Sequence, residues 1–227
     1  MSALAPRLRS ALQEVADPAR APAMQAYMKS AMPYLGVPTP ARRAVCRDLF
    51  KGLEFASTAE WQAEVLAIWR GAEFREERYC AIELAGIRQA RAFQHMDALA
   101  MYEEMIVTGA WWDYVDPIAG QNLLAILRAD PAPMKQAMLE WAQGEDMWKR
   151  RSAILCQLLA KRETDLDLLY AAIAPSMASK EFFLRKAIGW ALRQYARIDP
   201  AEVIRYVAAH DSELSPLSKR EALKHIA

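Results

Sequence analysis

The stretch "STAEWQAEVLAIW", residues 57–69, carries the two signals that define a helix. Ser57 and Glu60 stand three apart, the spacing at which an N-cap hydroxyl and a glutamate satisfy each other's backbone amides. Behind them, Trp61, Val65, Ile68 and Trp69 fall on one face of a 3.6-residue period. Similar signals recur along the chain. "TPARRAVCRDLF" predicts an N-cap at Thr39 with Pro40 at the first helical position. "DPAPMKQAMLEWA" and "DPAEVIRYVAAH" predict helix starts at Asp130 and Asp199. Roughly a dozen helices of about 10 to 18 residues result, and no segment alternates as a strand does. The spacing of the helix starts suggests antiparallel pairs of roughly 35 to 45 residues, the range of HEAT-type repeats. A compact non-repeat bundle is the alternative. No Ser/Gly-rich linker divides the chain, so a single domain over residues 1–227 is expected.

Composition narrows the functional classes. Hydrophobic residues make up 54% of the 227, with only 8 glycines, so an ordered globular chain is expected. No apolar run approaches the ~18 residues of a membrane span. The N-terminus lacks the contiguous apolar stretch of a signal peptide. Cys46, Cys80 and Cys156 are odd in number and far apart, which fits a reducing cytoplasm and no disulfide framework. His95, His210 and His225 are scattered, so no metal site is expected. P-loop, GxGxxG and GxSxG signatures are absent, and no cofactor is implied. The net charge of +1 leaves only a local basic face as a nucleic-acid surface.

Three constellations remain. In "TGAWWDYVDP", residues 108–117, Trp112 and Asp116 are four apart and share a helix face if that segment is helical. Alternatively, Asp116 caps a helix that begins at Pro117, a reading favoured by the aversion of pre-proline residues to the α region. In "SKEFFLRKAIGWALRQYARIDP", residues 179–200, Lys186, Trp190, Arg193 and Arg197 follow steps of four, three and four along one face. A ring flanked by cations suits a nucleic-acid surface. The same ring could equally lie at a core edge covered by basic stems. In "EDMWKRRSAILCQLLAKR", residues 145–162, Arg151 interrupts the stripe of Met147, Ile154, Leu155 and Leu158. A guanidinium there needs a carboxylate or phosphate partner, Asp113 or Asp116 among the candidates, unless it snorkels from the first turn. Lys149 and Arg150 beside it would add positive surface. The pairs Arg42-Arg43 and Lys219-Arg220 are weaker basic signals. Tyr27 is read as core or rim, with core favoured.

Taken together, "YMKSAMPYLGVPTPARR", "WWDYVD", "RRSAILCQL", "EFFLRKAIGWALRQYA" and "LSPLSKREALKHI" resemble the AlkD-type DNA alkylation repair proteins, in that family's order from near residue 24 to the C-terminus. The resemblance implies an all-α fold of HEAT-like helical repeats, a curved α-α superhelix (solenoid) with a concave basic face. It implies a monomeric, cytoplasmic DNA glycosylase of base excision repair. Such an enzyme hydrolyses the N-glycosidic bond of positively charged N3- or N7-alkylated purines in double-stranded DNA. On this resemblance Trp112 contacts the lesion nucleotide, Asp116 is the catalytic aspartate, Trp190 the second aromatic wall and Arg151 the supporting arginine. Tyr27 matches another cleft residue. Lys149, Arg150, Lys186, Arg193 and Arg197 are the expected DNA contacts. Arg151 is expected to keep Asp116 ionised and to lower its pKa. A shared or water-separated contact between them is expected, because a closed pair would quench the aspartate's field. The rival class is a helical-repeat scaffold that binds DNA, RNA or protein without chemistry.

Overall fold

The Ser57 hydroxyl accepts from the Glu60 amide at 3.2 Å, and the Glu60 carboxylate accepts from the Ala56 amide at 2.6 Å. The capping box predicted at this point therefore forms, shifted by one residue on its return bond. The helix it starts buries Trp61, Val65, Ile68 and Trp69, each at most 1% exposed. Burial of one indole contributes about 4 to 6 kcal/mol of transfer free energy.

The computed structural model describes residues 4–226. It is all-helical, with no strand among the described residues. None of the helices searched is long and apolar enough to cross a membrane. The chain forms two compact units, Met1–Met101 and Tyr102–Ala227.

The first unit contains α1 (Leu4–Glu14), α2 (Ala21–Met28), α3 (Thr39–Phe50), α4 (Thr58–Gly71) and α5 (Arg75–Ala85). Helix α3 starts one residue earlier than its sequence predicts. Pro38 is the N-cap in an extended conformation, and Thr39 already occupies the first helical position. As N-cap, Pro38 gives its carbonyl to the first helical bond, from the Arg42 amide at 3.0 Å, and brings no side-chain cap. Two glutamates of α5 organise the loops. Glu77 accepts from the amides of Glu73 and Phe74, each at 2.8 Å, and from Arg9 Nε at 2.9 Å. Glu76, fully buried, accepts from the amides of Leu35, Gly36 and Val37 at 3.1, 2.9 and 3.0 Å. A buried carboxylate is tolerable only with such saturation by donors. Cys46, Cys80 and Cys156 are buried free thiols.

Helix α6 (Leu99–Gly109) carries the boundary between the units. In the second unit a helical run of 18 residues follows, made of α7 (Trp112–Pro117), a π-helical stretch Ile118–Leu123, and α8 (Leu124–Ala129). The remaining helices are α9 (Pro131–Gln143), α10 (Met147–Leu155), α11 (Leu166–Ile173), α12 (Phe182–Tyr195), α13 (Pro200–Ala209) and α14 (Pro216–Ala222). Helix α10 packs against α7, α9 and α12, so it is the element that joins the two tryptophan-bearing helices. Asp199 caps α13 as predicted, accepting from the Glu202 amide at 3.0 Å. Asp130 occupies the N-cap of α9, but its side chain makes no capping bond.

Candidate active site

Helix α7 decides between the two readings of Asp116. Trp111 is its N-cap and Pro117 lies inside it, so Asp116 is a helical residue and does not cap a helix starting at Pro117. The pre-proline preference is a local bias of the backbone; here a buried ion pair outweighs it. Pro117 has no amide proton and so cannot donate to the carbonyl one turn back. The π-helical stretch begins at the next residue, as an interrupted ladder allows. Trp112 lies one turn before Asp116 on the same face. Entry to α7 is set by Ala110, whose φ of 43° is left-handed. A non-glycine residue there costs about 1 kcal/mol.

Arg151 of α10 closes on Asp116 with both prongs. Its Nε donates to Oδ1 at 2.7 Å and its Nη2 to Oδ2 at 2.8 Å. Its remaining nitrogen, Nη1, donates to the Phe183 carbonyl at 2.5 Å. The side chains are 5% and 10% exposed. Arg151 therefore does not snorkel to water, and the expected shared or water-separated contact is instead a tight bidentate pair. A carboxylate that shallowly exposed, facing a guanidinium with two matched donors, is most stable when both oxygens are engaged. The expected lowering of the aspartate's pKa also fails. Burial pushes the Asp116 carboxyl up, Arg151 pulls it down by hydrogen bonding and charge, Asp113 adds an upward push, and the net direction is upward.

Through the Phe183 carbonyl, Arg151 also fixes the start of α12. Phe183 packs with Trp111 and Trp148, ring centroids 5.4 and 5.0 Å apart. Trp190 lies seven residues beyond Phe183, hence on the same face and about 10 Å further along the axis. Trp112 and Trp190 are each half-buried, so each keeps part of a ring free. Trp111, expected in the core, is also half-buried, within the cluster of Trp148 and Phe183.

The basic residues fare differently. Lys186 and Arg193 both bind Glu221 of α14, at 2.8 and 2.5 Å. The Lys186 hydrogen bond, with Arg193 behind it, brings the Glu221 carboxyl down to about 2 against the opposing push of burial. The stability this ionised group contributes is complete above the usual value of 4.5 and is lost as pH falls through about 2. Lys149 pairs with Glu103 at 2.6 Å and lies 5.0 Å from the Trp141 ring centroid. Arg150 donates to the Pro175 carbonyl at 2.8 Å and to Ser176 Oγ at 2.9 Å. Arg197 is not on the helix face with Trp190: α12 ends at Tyr195, and Arg197 is an exposed residue of the following turn. Tyr27, on α2, is 75% exposed and so is no core residue. Sequence spacing missed Phe183 and Glu221. The first is legible as the residue two turns before Trp190. The second has only the acidic position after Lys219 and Arg220 to betray it.

Helices α12 and α14 meet at Gly189, beside Trp190. A Cβ there would lie 2.4 Å from Glu221 Cβ and 2.8 Å from the Ser218 carbonyl oxygen. Gly189→Ala is therefore expected to lose about 3 kcal/mol by forcing the helices apart. A urea melt checks this; an unchanged midpoint would show that the contact yields freely.

Comparison with known proteins puts this geometry in context. The family model for the DNA alkylation repair enzyme matches residues 8–226. The chain belongs to the DNA alkylation repair enzyme family. Its fold is close to the solved structure of a predicted DNA alkylation repair enzyme from Enterococcus faecalis, with a TM-score of 0.83 and 31% identity over 93% of this chain and 97% of that one. The comparison with curated proteins found no match. Membership in the DNA alkylation repair enzyme family supports a role in the repair of alkylated DNA.

Proposed function

We propose that the protein is a DNA glycosylase that releases N3- or N7-alkylated purines from double-stranded DNA. The observation that carries this reading is the bidentate Asp116–Arg151 pair beneath the helix face that bears Trp112. An alkylated purine of this kind is already cationic. Its bond to C1′ breaks with the electron pair going to the base, which departs neutral without an acid. The sugar is left oxocarbenium-like, and water adds at C1′ and loses a proton. The protein must stabilise positive charge and orient that water.

The closed pair changes the relative weights of the groups. A free carboxylate at about 4 Å attracts a unit positive charge by roughly 4 kcal/mol at an effective dielectric near 20. A guanidinium about 8 Å away returns roughly 2 kcal/mol of repulsion, leaving about 2. Each tryptophan face contributes on the order of 0.5 to 2 kcal/mol. The rings and the aspartate thus act on comparable scales. A carboxylate has about four lone-pair sites, and Arg151 occupies two, so two remain for the attacking water. Among the expected phosphate contacts, Arg197 is the cation with no internal partner among the described residues, while Lys149, Lys186 and Arg193 would have to exchange an acid for a phosphate.

Incubation with DNA bearing 7-methylguanine is expected to release the free base. The single-turnover rate should fall as pH drops through the Asp116 carboxyl, whose pKa burial has raised above the usual aspartate value. No alkaline limb from a general acid is expected. Absence of free base under enzyme excess overturns the reading. It would favour the rival, a DNA-binding scaffold in which the pair is purely structural.

A further inference from the structure

A cavity of 190 Å³ lies between α10, α12 and the chain leading into α11. Ile154, Leu158 and Leu169 give it an apolar lining, and Lys161, Arg197 and Gln194 contribute polar groups. No aspartate or glutamate lines it. Among the described residues, neither Lys161 nor Arg197 has a carboxylate partner, and the Gln194 amide has no hydrogen-bond partner. A neighbouring cavity of 210 Å³ shows the opposite arrangement. Its cations are neutralised internally, Arg128 by Glu163 at 2.7 Å and Lys135 by Asp165 at 2.5 Å. The first cavity thus combines an apolar interior with uncompensated positive charge, which calls for an anion with an apolar body.

Size limits that body. An apolar cavity of about 150 Å³ accepts a benzene ring. The observed volume therefore suits one substituted ring, with the anionic group outside on the cations. An arginine fork and a lysine lining the same cavity suit phosphate oxygens. Gln194 offers both a donor and an acceptor to a ring edge. Position supplies the source. Gln194 follows Trp190 by four residues, on the same face of α12 and about 6 Å further along its axis.

We propose that this cavity receives one unstacked pyrimidine nucleotide of the bound DNA strand, with the base against the apolar lining and the phosphate on Lys161 and Arg197. The source of the nucleotide rests on the DNA reading above; the chemistry of the cavity does not. The test is methyl NMR on the full chain, with thymidine 5′-monophosphate, thymidine, inorganic phosphate, a duplex with one unpaired thymidine, and its fully paired parent. The methyls of Ile154, Leu158 and Leu169 should shift saturably with the monophosphate, and thymidine or phosphate alone should bind at least tenfold more weakly. Gln194→Glu, a change at an unpartnered side chain, should weaken the monophosphate at least tenfold with the melting temperature unchanged. The unpaired duplex should reproduce the shifts and the paired duplex should not. No methyl response to the monophosphate or the unpaired duplex overturns the proposal, as does unchanged affinity in Gln194→Glu. Phosphate alone binding as well as the monophosphate also overturns it. Response to the free monophosphate but not to the unpaired duplex overturns the strand as the source. The mononucleotide arm needs neither excision nor DNA affinity, so a failed glycosylase assay leaves it readable.

Discussion

Asp116→Asn is expected to slow single-turnover release of 7-methylguanine by roughly 10²- to 10³-fold. The substitution removes about 4 kcal/mol of attraction at the sugar and leaves the guanidinium of Arg151 behind as a net repulsion. Four kcal/mol corresponds to roughly 10³ in rate. Binding to DNA should change little, since phosphates and not this carboxylate supply most of the affinity. Some stability will be lost as well, because breaking one side of a buried pair typically costs about 3 to 5 kcal/mol. Asparagine keeps one oxygen for Arg151, which should hold the loss to the low end. Melting temperature and DNA affinity measured alongside the rate separate the two effects. Undiminished release by a folded variant would remove Asp116 from the chemistry.

Gly36→Ala is expected to be the most damaging single-methyl change in the Met1–Met101 unit. Gly36 has φ +82°, where any L side chain costs about 1 to 2 kcal/mol. The added Cβ would lie 2.0 Å from the Asp17 carbonyl oxygen and 3.0 Å from the Ala21 nitrogen. Both are backbone atoms, so no side chain can rotate away. Relief requires the Gly36 turn to move. That movement breaks the bond from the Asp17 amide to the Leu35 carbonyl, 3.1 Å, and strips donors from the buried Glu76. Hydrogen bonds to charged groups are worth about 1.5 to 3 kcal/mol each. A loss above about 4 kcal/mol follows, or about 10 °C in melting temperature for a chain of this size. A melting temperature within about 2 °C of the parent would show that the turn relaxes at little cost.

The legible and illegible parts of the sequence differ by range. Ser57, Glu60 and the Trp61 stripe act within four residues, and their spacing predicted a helix that forms as expected. Thr39 failed by one position because a proline N-cap leaves no trace in a preference for hydroxyl side chains. The need of Arg151 for a carboxylate was legible, since an arginine inside an apolar stripe must be paired. Its two-pronged closure on Asp116 was not, because spacing carries no information about the approach of α10 to α7. The basic stripe misled for the same reason. Glu221, 28 and 35 residues from its two cations, converts Lys186 and Arg193 from free charges into a tie between α12 and α14. Arg197 left the stripe because α12 ends two residues before it. The role of Phe183 was illegible because Arg151 uses its carbonyl, a group that every residue carries. Glu76 was invisible for the same reason: it serves amides, which every residue has.

The π-helical stretch after Pro117 also bears on how this chain can vary. A π turn holds one residue more than an α turn over the same rise. Deleting a single residue between Ile118 and Leu123 would let the ladder close as ordinary α-helix, one turn replacing one turn. Leu124, Ile126 and Leu127, now buried, would keep their face relative to Asp116. A second inserted residue has no such outlet: carried as ordinary α-helix it would rotate α8 by about 100° and swing that face off the core. The segment is thus one that can shorten by a residue more readily than it can lengthen.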